Sequence, residues 1–263
     1  MALVTTAAVV LRTYRYSETS KIVRLATRDL GVQSAIAKGA LRPKSRFGAG
    51  LELLSEGSAQ LYFRDNRELQ TLAAFDVERL RRELATDLTR FAAAAVLAEL
   101  MVRMAPPAPL PHAYDTLTGG LDALIDAPQG DVDGTGLRAV WTLLGVLGFE
   151  PALRHCVRDG AEVGTDAAAP VAFSTAEGGV LCESCLKAQP AVTLTRLPVQ
   201  AWRDLCALLD AGARLPPLDL PHAAAHRRLA ARFVRHHTDH SGSANLPALE
   251  FWERRAWASS AAS

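Results

Sequence analysis

The chain has 263 residues, 49% hydrophobic and 22% charged, the balance of an ordinary globular protein with room for two or three modules. The first apolar stretch lacks the basic flank of a signal peptide, and the longest apolar run, Phe91 to Val102, is too short to span a bilayer and contains Glu99. A cytoplasmic protein without membrane contact is expected, whose four cysteines serve as thiols or metal ligands.

The formal charge of +1 conceals a division within the chain. Between Arg12 and Arg46 nine Lys/Arg face two acids, Glu18 and Asp29, while twenty basic residues face twenty-six acids elsewhere. A local surplus of that size points to an anionic partner, which the whole-chain value does not.

In chain order, five short runs read as strands: Val4 to Tyr14, Ser20 to Asp29, Gly31 to Gly39, Glu56 to Asp65 and Arg67 to Val77. Five strands in so few residues suggest a small barrel, with ALRPKSRFGAG as a long connection after the third. Near Arg79 the periodicity changes to three and four, through Leu80, Leu84, Leu88, Phe91, Val96, Leu97, Leu100, Met101 and Met104, until PPAPLP stops the helix. Helical patterns follow over Ala113 to Ile125 and Leu137 to Leu147, with Gly130 to Gly136 as the loop between them.

From Leu153 to Pro190 periodic apolar faces give way to Gly, Ala, Thr, Cys and Asp, a segment too small to be held by burial alone. Helices resume from Pro198 to His240, and the remainder reads as a loosely ordered tail. The expected division is 1–79, a barrel; 80–152 with 191–240, helical; 153–190, an insertion; and 241–263, a flexible tail.

The insertion carries the metal signal. Cys182-Glu-Ser-Cys185 presents two thiolates to one ion, Cys156 lies upstream, and Asp159 follows Cys156 at the spacing of a second C-x2-C whose last cysteine is a carboxylate. His155 is the alternative fourth ligand. One structural zinc ion is expected, and Cys206 in WRDLCALL reads as a core thiol. His222 and His226 share a helical face, interleaved with arginines, and read as a solvated basic helix or an accessory phosphate-contacting face.

Catalytic signatures are absent: no G-x-x-x-x-G-K-[ST], G-x-G-x-x-G, H-E-x-x-H or G-x-S-x-G occurs. The basic residues are of another kind. Small barrels hold single strands with cations for phosphates and aromatic faces for bases. The candidate phosphate contacts are Arg12, Arg15, Lys21, Arg24, Arg28, Lys38, Arg42, Lys44 and Arg46. Tyr14, Phe47 and Tyr62 are candidate stacking groups, and Phe47 has the alternative of anchoring its loop.

VTTAAVVLRTYRYSETSKIVRLATRDLG and AKGALRPKSRFGAGLELLS together resemble the RecO recombination mediators, with Glu18, Thr27, Gly31, Lys38, Gly39, Arg42, Lys44, Ser45 and Phe47 at family positions. FSTAEGGVLCESC resembles the family's GG-x-x-C-x-x-C half-site. The resemblance implies an α+β multidomain fold: an N-terminal OB-fold β-barrel, then an all-helical domain with a zinc-finger-like insertion. It also implies a non-enzymatic, nucleoid-associated protein that binds single- and double-stranded DNA and anneals complementary strands. With RecR it would load RecA onto DNA coated by single-strand-binding protein, whose acidic tail would dock on the helical block. Asp159 departs from the family, which usually carries cysteine there. Two rival readings are a zinc-dependent hydrolase and a protein-interaction scaffold without direct DNA contact.

Overall fold

The computed structural model describes residues 2–163, 169–190, 194–238 and 245–254. The chain forms two compact units, Met1–Asp126 and Ala127–Ser263. The boundary expected at residue 79 therefore falls inside the first unit, which keeps two helices with its sheet.

In the first unit β1 (Ala2–Arg15), β2 (Lys21–Thr27), β3 (Gly31–Ala37), β4 (Glu56–Phe63) and β5 (Leu69–Arg79) follow the expected strands closely. They pair in the order β1-β2-β3-β5-β4, and β4 returns to β1, so the sheet closes as a barrel. All pairs are antiparallel except β3 with β5. Small and branched side chains fill the interior: Ala8, Val10, Val23, Leu25, Ala35, Ala37, Ala59, Leu61, Leu72 and Phe75. Thr27 ties the β2–β3 turn by donating to the Gly31 carbonyl at 2.7 Å and accepting from the Leu30 N–H at 3.1 Å. Gly31 sits at φ +71, and a Cβ there would meet the Ala108 carbonyl oxygen at 2.2 Å, so only glycine fits.

The helix expected from Leu80 begins later. Arg81 adopts left-handed φ 46 and its side chain is wholly buried, bonding Glu56 (2.5 Å), Asp122 (3.1 Å) and the Leu54 carbonyl. A 3-10 turn over Arg82–Thr86 follows, and α1 (Leu88–Met104) starts only where Asp87 caps the Arg90 N–H at 2.8 Å. α2 (Pro111–Asp126) supplies Asp122, and its Tyr114 hydroxyl donates to Glu56 at 3.1 Å.

The second unit opens with α3 (Val132–Val146), which takes in most of the expected Gly130–Gly136 loop. Packing overrides the glycines: a Cβ at Gly134 would rest 3.6 Å from Leu215, and Asp133 accepts from buried Arg227 at 2.7 Å. β6 (Val171–Ser174) pairs with β7 (Gly179–Leu181) and with β8 (Leu194–Leu197), so the small sheet extends past the expected end at residue 190. α4 (Glu183–Ala188) follows β7; α5 (Val199–Leu209) and α6 (Leu220–Thr238) resume the helical core, where Trp141 meets Phe233 edge-on at 5.3 Å.

The expected tail contains α7 (Pro247–Arg254), with Leu249 and Trp252 buried. This corrects the reading of Pro247 to Arg254 as loose. Residues 164–168, 191–193, 239–244 and 255–263, which include the rest of the tail and His240, lie outside the described residues. No helix among the described residues is long and apolar enough to cross a membrane.

Candidate nucleic-acid interface and metal centre

A bulge aims the first cations. In β1, Val10 pairs with Leu25 and Arg12 with Arg24, so Leu11 is an extra residue on that strand. Without it, Arg12 and Tyr14 would share the inward parity of Ala8 and Val10. With it, both face solvent, and the Arg12 guanidinium lies 5.0 Å from the Tyr14 ring centroid. Leu11 was legible only as the last of an unbroken apolar run from Ala7, in which alternation is lost.

Register then gathers the neighbours. Arg12 stands beside Arg24, and Arg24 beside Ser34, whose hydroxyl accepts from Arg24 at 2.6 Å. Arg24 is half-buried, and that burial lowers its pKa. Arg15 pairs with Lys21 and Lys21 with Ala37, so Lys38 emerges at the same end of the sheet. The connection after it is a chain of turns in which the Leu41 N–H donates to the Thr19 carbonyl at 2.9 Å, tying it to the β1–β2 turn. Lys38, Arg42, Lys44 and Arg46 are exposed. Arg12, Arg15, Lys21, Arg24, Lys38, Arg42, Lys44 and Arg46 enter no ion pair among the described residues.

Three expected contacts lie elsewhere. Phe47 is only 3% exposed and packs with Leu51 into the barrel core, so it anchors the loop and presents no face to a base. Arg28 follows the far end of β2, and its guanidinium grips Asp115 of α2 in a two-pronged pair at 3.0 and 3.1 Å. Tyr62 is 40% exposed but sits on β4 opposite Leu3, at the other end of β1 from Tyr14, so it is not a register neighbour of Tyr14 across that strand pair.

In the second unit Cys156, Asp159, Cys182 and Cys185 place one ligand atom each within 4.8 Å of one another. The Cys182 and Cys185 thiols both donate to the Asp159 carboxylate, at 3.3 and 3.2 Å. Asp159 is held well below the usual carboxylate range by the Ala161 N–H and the three thiols. Its hydrogen bond in turn pushes the Cys185 thiol up to about 12. Cys182 is drawn downward by Ser184 and the Cys185 N–H at the start of α4. His155 is exposed, pairs through its backbone with Glu162, and is not part of the group.

The scaffold accounts for the glycine pair before the cysteines. Gly178 has φ +75, and a Cβ on Gly179 would lie 2.4 Å from the Ala152 carbonyl oxygen and 2.6 Å from Val157, which closes the turn holding Cys156. Arg158 then binds Glu177 at 2.7 and 2.8 Å and the Cys185 carbonyl at 2.9 Å, joining the two half-sites. The cluster behind them has only three buried residues, Cys156, Ala172 and Leu181. Thiolates with one carboxylate at this spacing suit a four-coordinate ion.

The model of the Recombination protein O N-terminal domain matches residues 1–81, and that of the C-terminal domain residues 85–240. The chain belongs to the RecO family. The DNA repair protein RecO of Symbiobacterium thermophilum is 34% identical over 215 residues, 81% of this chain and 83% of that protein. The RecO proteins of Anaeromyxobacter dehalogenans (strain 2CP-C) and Rhodopirellula baltica are 36% and 35% identical, covering 87% and 80% of this chain and 89% and 76% of their own. RecO membership supports a role in DNA repair and recombination. The barrel and the C-x2-C turn, which carried the sequence resemblance, lie inside the matched ranges.

Proposed function

We propose that the chain is a DNA-binding recombination mediator that anneals complementary single strands without catalysing a covalent step. The observation that carries this is the cationic end of the barrel, where Arg12, Arg15, Lys21, Arg24, Lys38, Arg42, Lys44 and Arg46 gather by register and turn geometry while ion-pair partners are absent among the described residues. Annealing requires two like-charged strands to approach with their base edges free. Cations that neutralise phosphates and read no edges meet both needs. Tyr14, backed by Arg12, offers a stacking face beside those cations.

In this reading the partners are single- and double-stranded DNA, RecR, single-strand-binding protein and, indirectly, RecA, in the cytoplasm at the nucleoid. Cys156, Asp159, Cys182 and Cys185 would hold one zinc ion, which supplies a structural crosslink when bound. The hydrolase reading has less support, since Glu183, the acid inside the C-x2-C turn, is engaged by Arg196 at 2.5 Å.

A strand-annealing assay without nucleotide tests the proposal. Complementary oligonucleotides, bare or coated with single-strand-binding protein, should pair faster with the protein present. Equal rates with and without it, at low salt, would overturn the reading.

A further inference from the structure

β8, the start of α5, α6 and α7 enclose a cleft of about 350 Å3, within the range of small-ligand sites. Leu197, Pro198, Ala201 and Leu229 make its walls apolar. His226 lines it too, 3% exposed, and neither ring nitrogen has a hydrogen-bond partner. Leaving such a group unpaired is costly, a cost removed by a ligand that supplies a partner. A neutral imidazole offers one donor and one acceptor on diverging sides of the ring, and a nucleobase edge can partner either one.

The rim is cationic. Arg228 and Arg232, one helical turn apart on α6, line the cleft, are exposed, and enter no ion pair among the described residues. The other charged side chains there are engaged: Arg196 by Glu183, and Glu253 by Arg235. Pro198 precedes α5 without a side-chain cap, which leaves first-turn N–H groups beside the arginines.

We propose that this cleft receives one nucleotide of a single-stranded DNA segment, its base between the apolar walls against His226 and its phosphate on Arg228 and Arg232. The inference rests on the DNA-binding reading and adds to it: a protein that pairs two strands has to hold both, and this cleft is a second strand contact on a different unit from the barrel.

Photo-crosslinking of the full chain to an oligothymidylate carrying 4-thiothymidine, with peptide mapping by mass spectrometry, tests it. Two sets of adducts are expected, one within residues 12–47 and one within 195–232. The paired variant Arg228→Gln/Arg232→Gln should reduce the second set at least tenfold and leave the first unchanged, and both positions are exposed, so the fold is retained. His226→Leu should also reduce the second set. Adducts confined to residues 2–80, or a second set indifferent to the arginine variant, would overturn the cleft assignment while leaving the barrel reading intact. No adducts anywhere would defeat both. Protection of the cleft by an acidic peptide but not by oligothymidylate would overturn the proposal in favour of a protein partner.

Discussion

Replacing Arg42, Lys44 and Arg46 together by Gln removes three exposed cations from the loop after β3 and leaves its anchors in place. Phe47 and Leu51 stay in the barrel core, and the turn bond from Leu41 to Thr19 is a backbone one. The magnitude follows from counterion release: each phosphate contact contributes about 0.7 to the slope of log K against log salt on single strands. Five contacts would give a slope of roughly −3.5, and losing three should flatten it by about 2. At 0.1 M salt the same arithmetic predicts affinity lower by about 100-fold. Fluorescence anisotropy with oligothymidylate at four or five salt concentrations reads both quantities. Arg28→Gln is the control, because its guanidinium is already held by Asp115; its slope should match that of the unmodified protein. An unchanged slope and affinity in the triple variant would refute the assignment of this loop to phosphate.

Four further outcomes follow from the packing. Phe47→Ala should lower stability of the first unit by about 3–5 kcal/mol in urea unfolding, whereas Tyr14→Ala should leave stability nearly unchanged and weaken single-strand binding by about 1–3 kcal/mol. Arg81→Met removes the buried partner of Glu56 and Asp122, which keep Tyr114 and Arg79 respectively, so unfolding free energy should fall by about 1–3 kcal/mol. A chelator should raise hydrogen exchange across 153–197 and spare the first unit, while Asp159→Cys should tighten metal binding and slow its loss to the same chelator. Burial lowers the pKa of His226, opposed by Asp204 and reinforced by His222. The unfolded chain then takes up a proton that the buried ring resists, so stability is retained above about pH 6.5 and falls as pH drops below it. His226→Gln should flatten that fall in unfolding measured between pH 7 and 5.

The strands were legible because alternation is local: each barrel-facing residue is two positions from the next, and turn residues bound every run. What escaped was set by contacts distant in sequence. Leu80, Leu84 and Leu88 continue the period of α1, yet the chain is diverted at Arg81 because its guanidinium reaches Glu56 and Asp122. Glycines 130, 134 and 136 read as a loop, but Gly134 lies against Leu215 in a helix whose Asp133 serves Arg227. Phe47 sits among cations, where a stacking ring and a core anchor look alike; its burial decides. Leu246, Leu249, Phe251 and Trp252 were the sign that the last segment packs, an apolar cluster of which Leu246, Leu249 and Trp252 are buried. The ligand group was the most legible feature of the second unit, since two C-x2 half-sites fix their own geometry and only the distance between them depends on the fold.

The disposition of charge separates the two kinds of arginine in this chain. Arg79, Arg81, Arg158, Arg196, Arg227 and Arg235 each meet a carboxylate on another segment, and those pairs join elements, among them β5 to α2, α6 to α3 and α6 to α7; Arg254 pairs with Glu250 inside α7. Of the nine cations between Arg12 and Arg46, among the described residues only Arg28 is paired in this way. Acids are plentiful in the chain, twenty-eight against twenty-nine Lys/Arg, so the difference is one of placement. A solvated face kept for solubility would tolerate mixed signs. A surface that must accept phosphates loses affinity with every carboxylate brought near it, and the near-absence of acids there is what that requirement predicts.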